Sequence, residues 1–561
     1  MHPYYVTTPI YYVNDRPHIG HCYSTMVADA LARFERLSRG GGGDVWFLTG
    51  TDEHADKVVT SAAAHGVTPM EWADRNAAEF RAAFAFCECS NDDFIRTTEA
   101  RHKDKVLGYI RELQRRGAIY LGDYEGWFDE SQEEYLTETA AKEAAYKSPV
   151  TGKPLVRRTE KNYFFRLSAF QERLTAHIAA NPGFIRPEGR KNEVLGRLRD
   201  GLQDIPVSRA VTSDPTSRWG IRMPDDPGHR IYVWIDALFN YLSAVDEAGP
   251  NGGLRRFWPP TVHVIAKDIL WFHAVIWPCL LMALDEPLPG TVYSHAYWVR
   301  EGRKMSKSLG NFVTIEVLRA YAGRYSIDAV RWYLLTQGPL GTTDTDFSHA
   351  KFVEVYNADL ANGIGNCASR VANMIAKYFG NVVPDHGGRL THTVQDLDGD
   401  ATPLEIRSTF DWPRLAAGSA AEATEAAARC DLFRLAELGL AMVRQVDGFI
   451  NATRPFSLAK LVDKGEASRE GLGEILYQCA EAVRVASVLL TPFMPGKMGA
   501  LQALWGCTPA PGATLADLCE FGGEHGLRPG ATMAKGEALF MRADPLEAAP
   551  VEDAPVTPPT G

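Results

Sequence analysis

The first fifty residues constrain the fold more than any other stretch of this chain. Residues 4–13 are aromatic and β-branched, Asn14-Asp15-Arg16-Pro17 turns the chain, and residues 18–39 place Val27, Ala30, Leu31 and Phe34 at the i, i+3, i+4, i+7 spacing of an amphipathic helix. Consecutive glycines at 40–43 end that helix, and residues 44–49 read as a buried strand. A strand-turn-helix-strand unit of this kind makes a right-handed crossover in a parallel sheet. The chain is therefore expected to open as a doubly wound α/β domain. A second strand-helix block runs from Ile231 through residues 262–265 to Val292 and Tyr293, in short apolar runs bounded by Pro and Gly.

Between these blocks lie residues 120–229, rich in charge and turn signals, as a domain inserted into a split α/β fold would be. Residues 157–209 hold eleven Lys and Arg against six Asp and Glu, a local +5 in a chain of formal charge −11. The total excludes a globally basic nucleic-acid-coating protein. The local excess can meet phosphates or can be a solvated surface balanced elsewhere, and charge alone leaves both open. After residue 353 helical patterns take over: Leu360, Ile364, Cys367, Val371, Met374 and Tyr378 mark one helix, Leu435 to Phe449 a second, and Leu472 to Ala486 a third. Residues 380–403 read as a loop, and the last 21 residues, with five Pro and four acids, as a disordered tail.

At 561 residues with 45% hydrophobic and 23% charged residues, the chain has material for several globular cores. Its longest apolar stretch, residues 270–284, carries His273 and Pro278, so no membrane span is expected. The amino terminus enters the first strand without a charged leader, an apolar signal core or a transit segment, which predicts a cytoplasmic location. The nine cysteines include no CxxC pair, which suits a reducing compartment and argues against a zinc ribbon.

Two motifs carry the chemistry. His18-Ile19-Gly20-His21 sits where the first strand turns into the first helix, so two imidazoles share a face near a helix amino terminus, a setting suited to phosphate. Gly20 lets a flat group approach the backbone, and the imidazoles can donate to a pentacoordinate phosphoryl transition state. The alternative is a pair of capping or surface histidines. Gly302-Arg303-Lys304-Met305-Ser306-Lys307-Ser308-Leu309-Gly310-Asn311 follows the last strand of the α/β core and has the composition of a mobile loop that brings ammonium groups to a leaving pyrophosphate. A solvated basic loop is its alternative. The two together, in this order and each at a strand end, favour the phosphate-handling reading.

On these motifs the chain resembles the class I aminoacyl-tRNA synthetases, and from about residue 4 to about residue 505 it is similar to the methionyl-tRNA synthetases. The family-specific words are TTPIYYVNDRPHIGH, FLTGTDEHADK, YVWIDALFNY, AKDILWFHAVIWP and SHAYWVREGRKMSKSLGN. The resemblance implies a multidomain α/β plus all-α architecture: a split Rossmann-type parallel-sheet catalytic domain (1–115 and 228–300), an inserted connective domain (116–227), a stem-contact segment with the lysine loop (301–355), an anticodon-binding helical bundle (356–535) and a disordered tail (536–561). It implies ATP with Mg2+, L-methionine, and tRNA(Met), both initiator and elongator, as reactants and partners.

By the same resemblance His18, His21, Lys304 and Lys307 are catalytic, and His18, Gly20, His21, Lys267, Asp268 and Lys307 hold ATP. Ile10, Tyr12, Trp234, Ala237, Tyr241, Phe272 and His273 form the methionine slot, with Asp52 facing the ammonium group. Sulfur–aromatic contacts suit such a slot, although without the resemblance plain core packing is the preferred reading of Trp234, Tyr241 and Phe272. Asn366, Arg370, Pro455 and Phe456 match anticodon contacts; many relatives carry Trp where Phe456 stands. Many also bind zinc through cysteine knuckles in the inserted domain, whereas residues 120–229 contain no cysteine, so no structural zinc is expected. The chain ends without the extra carboxy-terminal domain through which some relatives dimerise, and a monomer is expected. Rival readings are a synthetase-derived RNA-binding protein and a class I enzyme for another apolar amino acid.

Overall fold

The computed structural model describes residues 2–129, 134–136, 138–247, 250–300, 302–305, 312–386 and 410–550. Its centre is a six-stranded parallel sheet of β1 (Tyr4–Tyr12), β2 (Val45–Asp52), β3 (Asp93–Arg96), β4 (Ile185–Arg186), β5 (Val262–Ala266) and β6 (Thr291–His295), in the order β3-β2-β1-β5-β6-β4. Helices cover both faces of this sheet, which is why β1 and β2 read as near-continuous apolar runs. From β1 the chain builds outward through β2 and β3, then returns to lay β5 on the other side of β1. This reversal of strand order between β1 and β5 opens a crevice at the carboxyl ends of the strands, where ligands of open α/β sheets bind. Pairing of β1 with β2 shifts register between Thr7 and Ile10, where Pro9 has no N–H to give the ladder.

Helix α1 (Ile19–Ser38) runs back from the crevice with Cys22, Met26, Val27, Ala30, Leu31 and Phe34 buried. It ends where Gly40 turns at φ +73°, a left-handed conformation that favours glycine; a Cβ there would also sit 2.4 Å from the carbonyl oxygen of Gly512. The short helix α2 (Val233–Leu238) follows a strand, Asp226–Ile231, that belongs to a separate antiparallel sheet rather than to the parallel one, so Ile231 does not open the second α/β block.

Residues 119–231 form two small antiparallel sheets, but this inserted part is not freestanding. Ile185 and Arg186 pair with Val292 and Tyr293 to supply β4, and Leu174, Ile178, Phe184 and Leu198 pack in one core with Leu48, Ile95 and Ile265. A two-residue strand carries no periodicity, so the sequence offered no sign of it.

Helix α3 (Ile327–Gln337) joins the parallel-sheet part to the helices that follow. Its Arg331, wholly buried, donates to Asp29 on α1 at 2.6 Å and to the carbonyl oxygens of Cys87, Pro492 and Phe493. A buried charge is tolerable only when saturated in this way. Beyond it lie α4 (Asn366–Phe379), α5 (Leu432–Thr453) and α6 (Arg469–Leu490), with α6 buried from Leu472 to Leu490. A further helix, Trp412–Ala428, was not expected: its buried face is mostly alanine, and alanine also occupies exposed positions 417, 421 and 428.

Residues 536–550 depart from the expected disorder. Leu539, Phe540 and Ala543 are buried, Asn357 exchanges two hydrogen bonds with Ala543, and Glu547 pairs with Arg324 and Tyr325. Composition counted the prolines and acids of this segment and overlooked its three apolar anchors. Residues 551–561, and residues 387–403 of the expected loop, lie outside the described residues. No described helix is long and apolar enough to cross a membrane.

Candidate active site

The crevice at the β1/β5 switch point is a cavity of about 410 Å³. Of the residues singled out from sequence, Ile10, Tyr12, His18, Gly20, His21, Asp52, Trp234, Ala237, Tyr241, Asp268 and His273 line it. Phe272 stands behind this wall, stacked on Trp234 with ring centroids 4.0 Å apart. Lys267 is not in the wall; its ammonium group lies 2.6 and 2.8 Å from the Asp344 carboxylate oxygens. Lys304 ends the two-residue strand Arg303–Lys304, and Lys307 lies outside the described residues.

His18 is the residue capping α1, and the two histidines make a reciprocal cap. Gly20 N–H donates to His18 Nδ1 at 3.1 Å, and His18 N–H donates to His21 Nδ1 at 3.2 Å. The rings lie 3.9 Å apart, and a Cβ on Gly20 would come 3.0 Å from the His18 ring. Because each Nδ1 is occupied as an acceptor, the neutral rings carry their protons on Nε2. Burial pushes the His18 pKa down to about 4; burial, and then the neighbouring His18, push His21 well below the usual imidazole range. The pair is thus two neutral N–H donors at neutral pH, suited to developing phosphoryl charge and neither repelling the other nor the helix terminus.

The opposite wall is aromatic. Tyr12 meets Trp234 edge to face at 5.8 Å, and His273 accepts at Nε2 from the Tyr241 hydroxyl at 2.7 Å. The direction of that bond follows from the other ring nitrogen, since Nδ1 lies 2.9 Å from the Ile269 carbonyl oxygen, which can only accept. Burial lowers the His273 pKa to about 4 and raises that of Tyr241. The slot is neutral, apart from Asp52 at the end of β2, which is 2% exposed.

Several wall residues were not singled out from sequence as site residues: Ser24, Asn240, His295, Tyr297, Met305 and Phe312. His295 is the most informative. Its Nδ1 faces the Ala296 carbonyl oxygen at 2.7 Å, so Nε2 accepts from Ser24 at 2.8 Å and ties β6 to α1; burial lowers its pKa to about 4. A histidine ending the strand before the lysine loop was the available clue.

Three interior histidines, His263, His273 and His295, have pKa values depressed by burial, the last two to about 4. The unfolded chain takes up their protons near pH 6.5, so stability is full above that pH and is lost as pH falls towards 4. At pH 5 His273 and His295 each cost about 2 kcal/mol. Thermal unfolding at pH 7 and pH 5 should show a marked acid loss, and His295→Gln should show a shallower one; equal slopes would contradict the assignment.

A second cavity, of about 290 Å³, lies on the helical bundle. Asn366 and Arg370 line it from one face of α4 and Phe456 from across, with the Arg370 guanidinium 5.7 Å from the Phe456 ring centroid and 3.4 Å from Asp447. Phe456 is 44% exposed, which leaves its ring open to a stacking partner, whereas Pro455 is buried in the first turn of its helix and does not line the cavity. Among the described residues no group of three or more His, Cys, Asp or Glu is placed to hold a metal ion.

A profile of the family described as tRNA synthetases class I (M) matches residues 4–372. The chain is 40% identical to a methionine–tRNA ligase of Streptomyces coelicolor, over 97% of this chain and 98% of that one. It is 38% identical to a methionine–tRNA ligase of Mesorhizobium japonicum, over 96% and 97% of the two chains. Among solved structures, Mycobacterium tuberculosis methionyl-tRNA synthetase in complex with methionyl-adenylate matches with a TM-score of 0.83 at 35% identity, covering 97% of this chain and 100% of that chain.

Proposed function

The chain belongs to the methionyl-tRNA synthetases of class I, and from that premise we propose how its own residues divide the work of a methionine–tRNA ligase. The enzyme activates L-methionine with ATP to methionyl-adenylate and pyrophosphate, then transfers the methionyl group to tRNA(Met). In the first step a methionine carboxylate oxygen attacks the α-phosphorus and pyrophosphate leaves; in the second a terminal ribose hydroxyl attacks the methionyl carbonyl and AMP leaves.

Asp52 receives the ammonium group, and Ile10, Tyr12, Trp234, Ala237, Tyr241 and His273 enclose the thioether chain, with Phe272 backing Trp234. His18 and His21 donate Nε2–H to the α-phosphoryl oxygens as they gain charge, where a preorganised donor is most effective. Gly20 and Asp268 border the nucleotide. Lys304 and Lys307 neutralise the departing pyrophosphate, and Mg2+ enters with ATP as part of the substrate. Lys267 reaches the nucleotide only by leaving Asp344. The observation that carries this reading is the single cavity joining the histidine pair to Asp52 and the aromatic wall.

Asn366, Arg370 and Phe456 read the anticodon, and initiator and elongator tRNA(Met) share that site. In this reading the protein works as a monomer in the cytoplasm, a reducing compartment that suits nine cysteines without a CxxC pair. Charging both purified tRNAs with labelled methionine tests it: comparable charging is expected, and charging of neither, in protein that forms the adenylate, would overturn the anticodon assignment. Within the slot, Tyr241→Phe removes a buried bond worth about 0.5–1.5 kcal/mol, so the KM for methionine should rise by roughly 2- to 12-fold with the KM for ATP unmoved. An unchanged methionine KM would remove Tyr241 from the site.

A further inference from the structure

Behind the cavity, and not part of its wall, lies a buried carboxylate with two histidine partners. Asp236, on α2 between Trp234 and Ala237, is 1% exposed. Its two oxygens accept from His54 Nδ1 at 2.6 Å and His102 Nε2 at 2.7 Å, and His102 Nδ1 lies 2.8 Å from Ser243 Oγ. His54 follows the end of β2 by two residues, and its backbone N–H approaches Asp52 Oδ1 at 3.4 Å. One side chain therefore ties the helix that carries Trp234 and Ala237 to the segment that carries Asp52.

We propose that Asp236 is a positioning residue for methionine, setting the distance between the ammonium site and the side-chain slot through His54. Methionine must span these two sites, and a misplacement of about 1 Å in such a pair can cost on the order of 10²-fold. The carboxylate suits the task because it can only accept, so it holds both imidazoles in one tautomer. Burial alone would raise its pKa, but the two imidazoles outweigh that and hold it at about 2, so it stays charged at every working pH. Its two oxygens join rings from two different segments, which fixes the spacing of those segments.

The inference rests on Asp52 receiving the ammonium group, and its test separates the two. Asp236→Asn keeps the shape but presents an N–H to one of two rings that already donate. In methionine-dependent ATP–pyrophosphate exchange the KM for methionine should rise about 10- to 100-fold, with the KM for ATP within about twofold. In the Asp52→Ala background the same change should add less than about twofold, because the site it positions is gone. Inhibition by 4-(methylthio)butanoate, which lacks the ammonium group, should be equally strong in both single variants and the parent, a readout that general loosening would not spare. If Asp236→Asn does not fold, His54→Gln breaks the same link and should give the same split, whereas His102→Gln, which leaves His54 attached, should give a smaller one. Equal losses for methionine and ATP, or effects that multiply in the double variant, would overturn the proposal. An unchanged methionine KM in Asp52→Ala would overturn the ammonium assignment and the proposal with it, and is told apart by that single variant.

Discussion

His21→Ala is expected to slow methionine-dependent ATP–pyrophosphate exchange by about 10²–10³-fold while leaving the KM for methionine within about twofold. Removing one preorganised donor from a phosphoryl transition state costs about 2.7–4 kcal/mol, whereas losing one partner of a helix cap costs about 1 kcal/mol. The two roles of His21 are thus distinguishable by size. A folded variant that has lost a few degrees of melting temperature and most of its rate fits a donor; one that has lost only the stability fits a cap and nothing more. The rate should also stay flat between pH 6 and 8 as far as this pair is concerned, because His18, with its pKa near 4, and His21, lower still than an ordinary imidazole, are neutral throughout that range. A descending limb on the alkaline side, removed by His21→Ala, would mean that the charged ring is the working form.

Phe456→Ala should separate the two halves of the enzyme. Stacking of a base on an aromatic ring is worth about 1–3 kcal/mol, so kcat/KM for tRNA(Met) in aminoacylation should fall by about 5- to 150-fold, and exchange, which needs no tRNA, should be unaffected. Phe456→Trp should keep or improve charging, since a larger ring offers more stacking surface. Arg370 makes the ring's role checkable in a second way: its guanidinium lies over Phe456 and against Asp447, so Phe456→Ala frees it to pair fully with the acid. Loss of exchange in Phe456→Ala would show instead that the bundle is being unfolded.

What could be read from the sequence was whatever chemistry demands at short spacing. His18 and His21 are three residues apart because a reciprocal helix cap and a paired donor site need the same spacing, and Trp234, Ala237 and Tyr241 fall close together because they lie on two short consecutive helices. The strand-helix-strand opening was legible for a similar reason, since a strand buried on both faces and an amphipathic helix have different periods. What could not be read depends on partners far apart in the chain. Arg331 meets Asp29 across 302 residues, and Asp236 meets His54 across 182, and neither pairing leaves a local pattern. The sheet's last strand is two residues long, the helix Trp412–Ala428 carries alanine on its exposed as well as its buried face, and residues 539–543 hide three anchors in a tail of prolines and acids. Lys267, expected at the nucleotide from its motif, pairs with Asp344, a partner no motif includes.

The most direct test of the whole account is amino-acid-dependent ATP–pyrophosphate exchange by the purified protein, with methionine beside leucine, isoleucine, valine and cysteine. The slot built from Tyr12, Trp234, Tyr241 and His273 predicts exchange with methionine alone, because a flat aromatic wall fits an unbranched thioether and leaves branched chains poorly packed. Exchange with leucine or isoleucine at rates comparable to methionine, or none with any of the five in folded protein, would contradict it.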